Sequence, residues 1–191
     1  MKNILLVAAV LFSVLFSSQV IMGDAIGTAP AGQKESVLLE FAAGQNKGII
    51  LPYVRTIPGG TGLAEGTIIL DATNQAAARV KYFNGVTTGG ATGWVDLSFG
   101  HDANITNSMT LQPSPSTVTE DAGSKVIIGA NTSSADGILV LESITKAMIL
   151  PTVVDTNNIP DPAPGMMVFI NKTGAKRLAV YNGGGWTYWK P

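Results

Sequence analysis

Short runs of β-branched and aliphatic residues, set between clusters of Gly, Asn, Pro and Asp, fill almost the whole chain. Punctuation of that kind marks strands joined by tight turns. It predicts strands at Val37–Phe41, Gly48–Val54, Thr67–Asp71, Arg79–Asn84 and Trp94–Leu97. A second set falls at Ile138–Glu142, Ala147–Val153, Met166–Ile170, Arg177–Tyr181 and Trp186–Trp189, and Lys125-Val126-Ile127-Ile128 reads as one strand more. In Arg79-Val80-Lys81-Tyr82 charged and apolar residues alternate, the period of a half-buried strand. Asn171-Lys172-Thr173-Gly174 and Asn182-Gly183-Gly184-Gly185 read as hairpin connections, because Asn and Gly accept positive φ at low cost. Each set therefore ends in a three-stranded antiparallel meander. No helical period is sustained outside the first residues, so the fold class is all-β.

The two sets are copies. Lys47-Gly48-Ile49-Ile50-Leu51-Pro52 returns as Lys146-Ala147-Met148-Ile149-Leu150-Pro151, an offset of 146 − 47 = 99. Arg79…Phe83-Asn84-Gly85 returns as Arg177…Tyr181-Asn182-Gly183, and Trp94 returns as Trp186. Upstream, Ile26-Gly27-Thr28 and Glu40 align with Ile128-Gly129-Ala130 and Glu142. The offset falls along the chain, and each fall places a length change in a loop. The largest separates Asn84-Gly85 from Trp94, where Val86–Gly93 stands against Gly184-Gly185. Loops absorb insertions and strands do not, so the pattern supports the strand assignment. The organisation read from this is two tandem small antiparallel β-modules, residues 26–98 and 128–191. Residues 99–127 form the joint, in which Pro113-Ser114-Pro115-Ser116-Thr117 is an extended linker or loop.

Residues 1–25 read as a secretory signal: Lys2, then an apolar stretch Ile4–Phe16, then a more polar exit with Gly23 and Ala25 as the small residues before cleavage. The apolar stretch is shorter than the roughly 20 residues that span a bilayer. The mature chain is expected to be secreted or held at the outer cell surface, with no span of its own. Cysteine is absent, which excludes disulfides, thiol chemistry and a lipidated cysteine. A net charge of −1 leaves no basic surface for nucleic acid or an anionic membrane. Only 13% of residues are charged, so Gly, Thr, Ser and Asn carry the polar surface, a composition that favours association.

Ile128-Gly129-Ala130…Ile138-Leu139-Val140-Leu141-Glu142…Thr145-Lys146-Ala147-Met148-Ile149-Leu150-Pro151 resembles a module of exported Bacteroidetes proteins of the type "IGT…LDV…TKGFLPPR" followed by "YYNGxxW". Gly165–Asn171 and Val180-Tyr181-Asn182-Gly183-Gly184-Gly185-Trp186 fill its second half; Lys47–Arg55, Gly66–Leu70 and Phe83-Asn84-Gly85…Trp94 match it in the first unit. The resemblance implies surface proteins and fibre-like or tail-fibre-like assemblies. It carries no catalytic residues and no cofactor. The chain lacks the C-terminal sorting domain of many such proteins. In a bacterial protein the sequons at Asn104, Asn131 and Asn171 mean little.

The residues themselves argue against an enzyme. His101, beside Asp102, is the single histidine, and with no cysteine it makes neither a typical zinc site nor a Cys-His pair. Ser143-Ile144-Thr145-Lys146 with Lys172-Thr173-Gly174 looks like the penicillin-binding serine signature, but that serine must open a helix and this one enters a β-run. Asp155, Asn157 and Asp161 make an oxygen-rich loop, a weak calcium candidate without regular ligand spacing; Pro160 and Pro162 account for it as a turn. The aromatics of the last strand are the best binding or interface candidates. Trp186 and Tyr188 share one strand face and Trp189 lies on the other. Trp94 and Trp186, placed alike in both units, are expected in the core. Trp189, facing Leu97 in the alignment, is the candidate for an interface. The sequence thus reads as a structural or adhesive surface protein that self-associates into a homo-oligomer or fibre. The alternative is a carbohydrate- or receptor-binding module using those aromatics.

Overall fold

The computed structural model describes residues 19–23, 27–114, 116–119, 121 and 123–189. Most of the expected leader, residues 1–18 and 24–25, lies outside them, as does Ile26. The described chain is nearly all β, and its fourteen strands form two sets of seven in the same order. The first set is β1 (Val20–Met22), β2 (Val37–Phe41), β3 (Ile49–Ile50), β4 (Tyr53–Val54), β5 (Ile68–Asp71), β6 (Arg79–Phe83) and β7 (Trp94–Asp96). The second is β8 (Val126–Ile128), β9 (Leu139–Leu141), β10 (Ala147–Met148), β11 (Thr152–Val153), β12 (Met166–Ile170), β13 (Arg177–Tyr181) and β14 (Trp186–Trp189).

Within each set the pairing repeats. β1 runs parallel to β2 as β8 does to β9, and β4 runs parallel to β5 as β11 does to β12. The expected meanders follow: β5, β6 and β7 are antiparallel neighbours, as are β12, β13 and β14. Their registers agree as well, with Phe83 opposite Trp94 and Tyr181 opposite Trp186.

Three differences from the sequence reading have physical causes. The runs Gly48–Val54 and Ala147–Val153 are each broken in two at the Leu-Pro step. Proline has no N–H to give a ladder, and here the chain changes sheets. β3 pairs with β12 of the other unit, whereas β4 beyond Pro52 pairs with β5 of its own. β10 likewise pairs with β2 of the other unit before β11 returns to β12. Second, the start of the repeat is displaced. Met22-Gly23, not Ile26-Gly27, is the counterpart of Ile128-Gly129: both glycines have positive φ (105° and 102°). The carbonyls before them accept from Ala42 N–H and Glu142 N–H, each at 2.9 Å. Glu142 therefore answers to Ala42, and Glu40 answers to Val140. Third, the joint is packed rather than merely extended. Ala103 bridges Ala78, and a one-turn helix α1 (Thr106–Met109) turns Met109 inward.

The principal core draws on both units and the joint: Leu51, Leu70 and Val80 from the first, Met167 and Val180 from the second, Ile105 and Met109 between them. Each such side chain contributes about 1.5–3 kcal/mol on leaving water. Neither unit has that cluster alone, so the units fold as mutual supports. A second cluster, around Val168, Ile170 and Ala179, belongs to the second unit.

Candidate functional site

The last strand, β14, carries the aromatic candidates, and its alternation sends them two ways. Trp186 packs on Tyr181 of β13 with ring centroids 5.3 Å apart and planes 44° apart. The first unit repeats this pair with Phe83 and Trp94 at 5.3 Å and 51°. A tilted aromatic pair across neighbouring strands is worth about 0.5–1.5 kcal/mol beyond its burial. Its repetition makes both tryptophans pins of the meander. Tyr188, 39% exposed, donates or accepts at Thr156 Oγ1 (3.0 Å) and lies beneath the Arg177 guanidinium, 4.6 Å from the ring centre. On the other face Thr187 Oγ1 and the Trp189 indole N–H both donate to the Leu97 carbonyl at 2.9 Å. Trp189 stacks on Phe99 at 4.2 Å and 16°. The strand thus divides the three: Trp189 ties the second unit to the end of the first, Trp186 is packed, and Tyr188 presents surface. Phe99 went unnoticed in the sequence; its left-handed backbone (φ 51°) puts a large ring over Trp189 and half into solvent.

The polar candidates are engaged locally. Asp155 caps a short 3-10 turn by accepting from Asn157 N–H at 3.0 Å, and lies 3.7 Å from Lys172 Nζ. Asn157 and Asp161 are exposed. Among the described residues no three His, Asp or Glu side chains converge on a common point. His101 is exposed, and its neighbour Asp102 accepts from Arg79 instead. Arg79 also meets Asp96 at 3.2 Å, so this cluster braces β6 against β7 and the joint. Asp102 first, then Asp96, raises the Arg79 pKa, which keeps an already permanent charge in place. Ser143 accepts from Lys146 N–H at 3.0 Å in a turn entering β10, on no helix.

Two acidic groups take structural duty. Glu40 is fully buried in β2 and accepts from Ala29 N–H at 2.7 Å and from Gln19, with Lys34 Nζ at 3.7 Å. Gly27 is fixed by it, because a Cβ there would lie 2.0 Å from the carboxylate carbon. For Asp71, burial works to raise the carboxyl, but hydrogen bonds from Lys81 (2.7 Å) and Thr73 outweigh it and hold the pKa below its ordinary value.

Two open grooves lie on the described surface: one between β1 and β8, lined by Val20, Ile127 and Asn131, and one beside Phe41, Lys47 and Pro151. No helix among the described residues is long and apolar enough to cross a membrane.

Among the described residues the candidate side chains are taken up in aromatic packing, local hydrogen bonds and ion pairs. Residues 127–191, the second unit, match the family model described as "Phage tail like trimerisation region". No curated protein and no solved structure matches the chain significantly.

Proposed function

We propose that this chain is a non-enzymatic structural protein that self-associates as a trimer in a fibre-like assembly. The observation that carries the reading is the trimerisation-region match over residues 127–191, which runs from within β8 through β14. The first unit repeats the same seven strands, so the chain offers two related modules to an assembly. Low charge and exposed apolar side chains support the same conclusion.

Export to the cell surface belongs to this reading and rests on the leader-like N-terminus. The expected cleavage point is refined by the repeat. Removal of residues 1–25 would take β1 away, and with it the Met22 carbonyl that receives Ala42 N–H and the Gln19 amide that meets buried Glu40. Cleavage therefore falls at or before Gln19 in this account. N-terminal sequencing of the exported protein reads this directly; a start at Ile26 would refute it.

Light-scattering mass over a concentration series tests the trimer. The reading expects a mass near three chains that persists on dilution, and a monomer at every concentration would overturn it.

A further inference from the structure

The two units bury each other through an interface that is used only by halves, and the unused halves fit each other. β3 and β10 are counterparts, 99 positions apart, yet they pair through opposite edges. On β3 the Leu51 N–H points to β12 and donates to the Gly165 carbonyl at 3.1 Å. On β10 the Ile149 N–H, counterpart of Ile50, points to β2 and donates to the Leu39 carbonyl at 2.8 Å. Neighbouring residues of a strand send their N–H groups to opposite edges. The Ile50 edge of β3 and the Leu150 edge of β10 are therefore the ones left over.

Their missing acceptors are visible in the other copy of each strand. β2 lies between β1 and β10, whereas among the described residues its counterpart β9 pairs with β8 alone. The side chains record the difference: Leu38 and Leu39 are 1% and 0% exposed, but their counterparts Ile138 and Leu139 are 63% and 45% exposed. Gly165 is buried under β3, whereas its counterpart Gly66 is exposed at the head of β5. An open strand edge with apolar side chains beside it is a template for a further strand.

We infer that a second copy of this chain occupies these edges, with its β3 adding to β9 and its β5 head receiving β10. The occupant follows from continuity with the interface inside the chain: the partner strand for β9 must resemble β10, and β3 is that strand. In the register copied from β10 on β2, Ile50 N–H of one copy donates to the Leu139 carbonyl of the next. Ile50, 56% exposed within one chain, becomes covered. The contact is head-to-tail, because β9 of one copy meets β3 of another rather than β9 itself. Such contacts close into a ring or run on as a filament. This inference rests on the self-association proposed above and names the surface that makes it.

The chain has no cysteine, so placed thiols report cleanly. The test is short-span bismaleimide cross-linking of three purified proteins, Ile50→Cys, Leu139→Cys and the double variant, each first checked for native circular dichroism and scattering mass. The double variant is expected to yield covalent dimers and larger multiples, and each single variant to stay uncross-linked. An oligomer by scattering whose double variant gives no covalent multiples would overturn the inference and leave self-association standing. So would single variants that cross-link as well as the double. A monomer by scattering would remove both. Leu139→Lys, on an exposed position and so compatible with folding, is expected to lower the scattering mass to that of one chain; an unchanged mass would count against β9 as the contact.

Discussion

At the scale of single residues the chain's constraints come from backbone geometry and a few buried polar groups. Gly129 has φ 102°, and a Cβ there would approach the Glu142 carbonyl oxygen to 2.2 Å. Gly129→Ala is therefore expected to cost at least about 1–3 kcal/mol, seen as a lower urea midpoint. Trp189→Ala removes the stack on Phe99 and a hydrogen bond to Leu97; with the ring half-buried, a loss of about 3 kcal/mol is expected in the same assay. Asp71 gives the pH dependence. Its folded pKa is depressed, so its contribution is fully present above the unfolded value of about 3.9 and is lost as pH falls through the folded one. The stability difference between wild type and Asp71→Asn should accordingly shrink on acidification, and a difference constant with pH would contradict the assignment. The recurrence of Trp94 and Trp186 at one place in both units announced a repeated aromatic pair, but both rings are half-buried on the meander rather than in the core as expected. Residue type did not announce Glu40, because a carboxylate reads as surface until its amide donors are seen.

At the scale of elements the hairpins were legible and the exchanges were not. Met166–Ile170, Arg177–Tyr181 and Trp186–Trp189 form the strands their own residues predict, because short apolar and aromatic runs bounded by Asn- and Gly-containing turns fix them. The partners of β3 and β10 lie about a hundred residues away, and no local pattern encodes such a pairing. The Leu-Pro step was the available sign, twice interrupting a run otherwise fit for one strand. β1 was hidden for another reason: Val20-Ile21-Met22 falls within residues 1–25, read as the leader, and shares the composition of its apolar stretch. Its kinship with Val126-Ile127-Ile128 shows only once both are seen beside their parallel neighbours. Urea unfolding of chains beginning at Gln19 and at Ile26 should separate them, with the shorter chain less stable; equal midpoints would deny β1 a structural role.

At the scale of the molecule, a duplicated module buries one copy of its interface inside the chain and leaves the other open. That asymmetry accounts for the exposure of Ile138 and Leu139, whose counterparts Leu38 and Leu39 are buried. In the proposed assembly a partner strand would cover the β9 edge and the apolar side chains exposed beside it. The most direct measurement is sedimentation equilibrium on the exported protein beside its Leu139→Lys variant. The account predicts three chains for the wild type and one for the variant. A wild-type monomer would contradict the account at its centre.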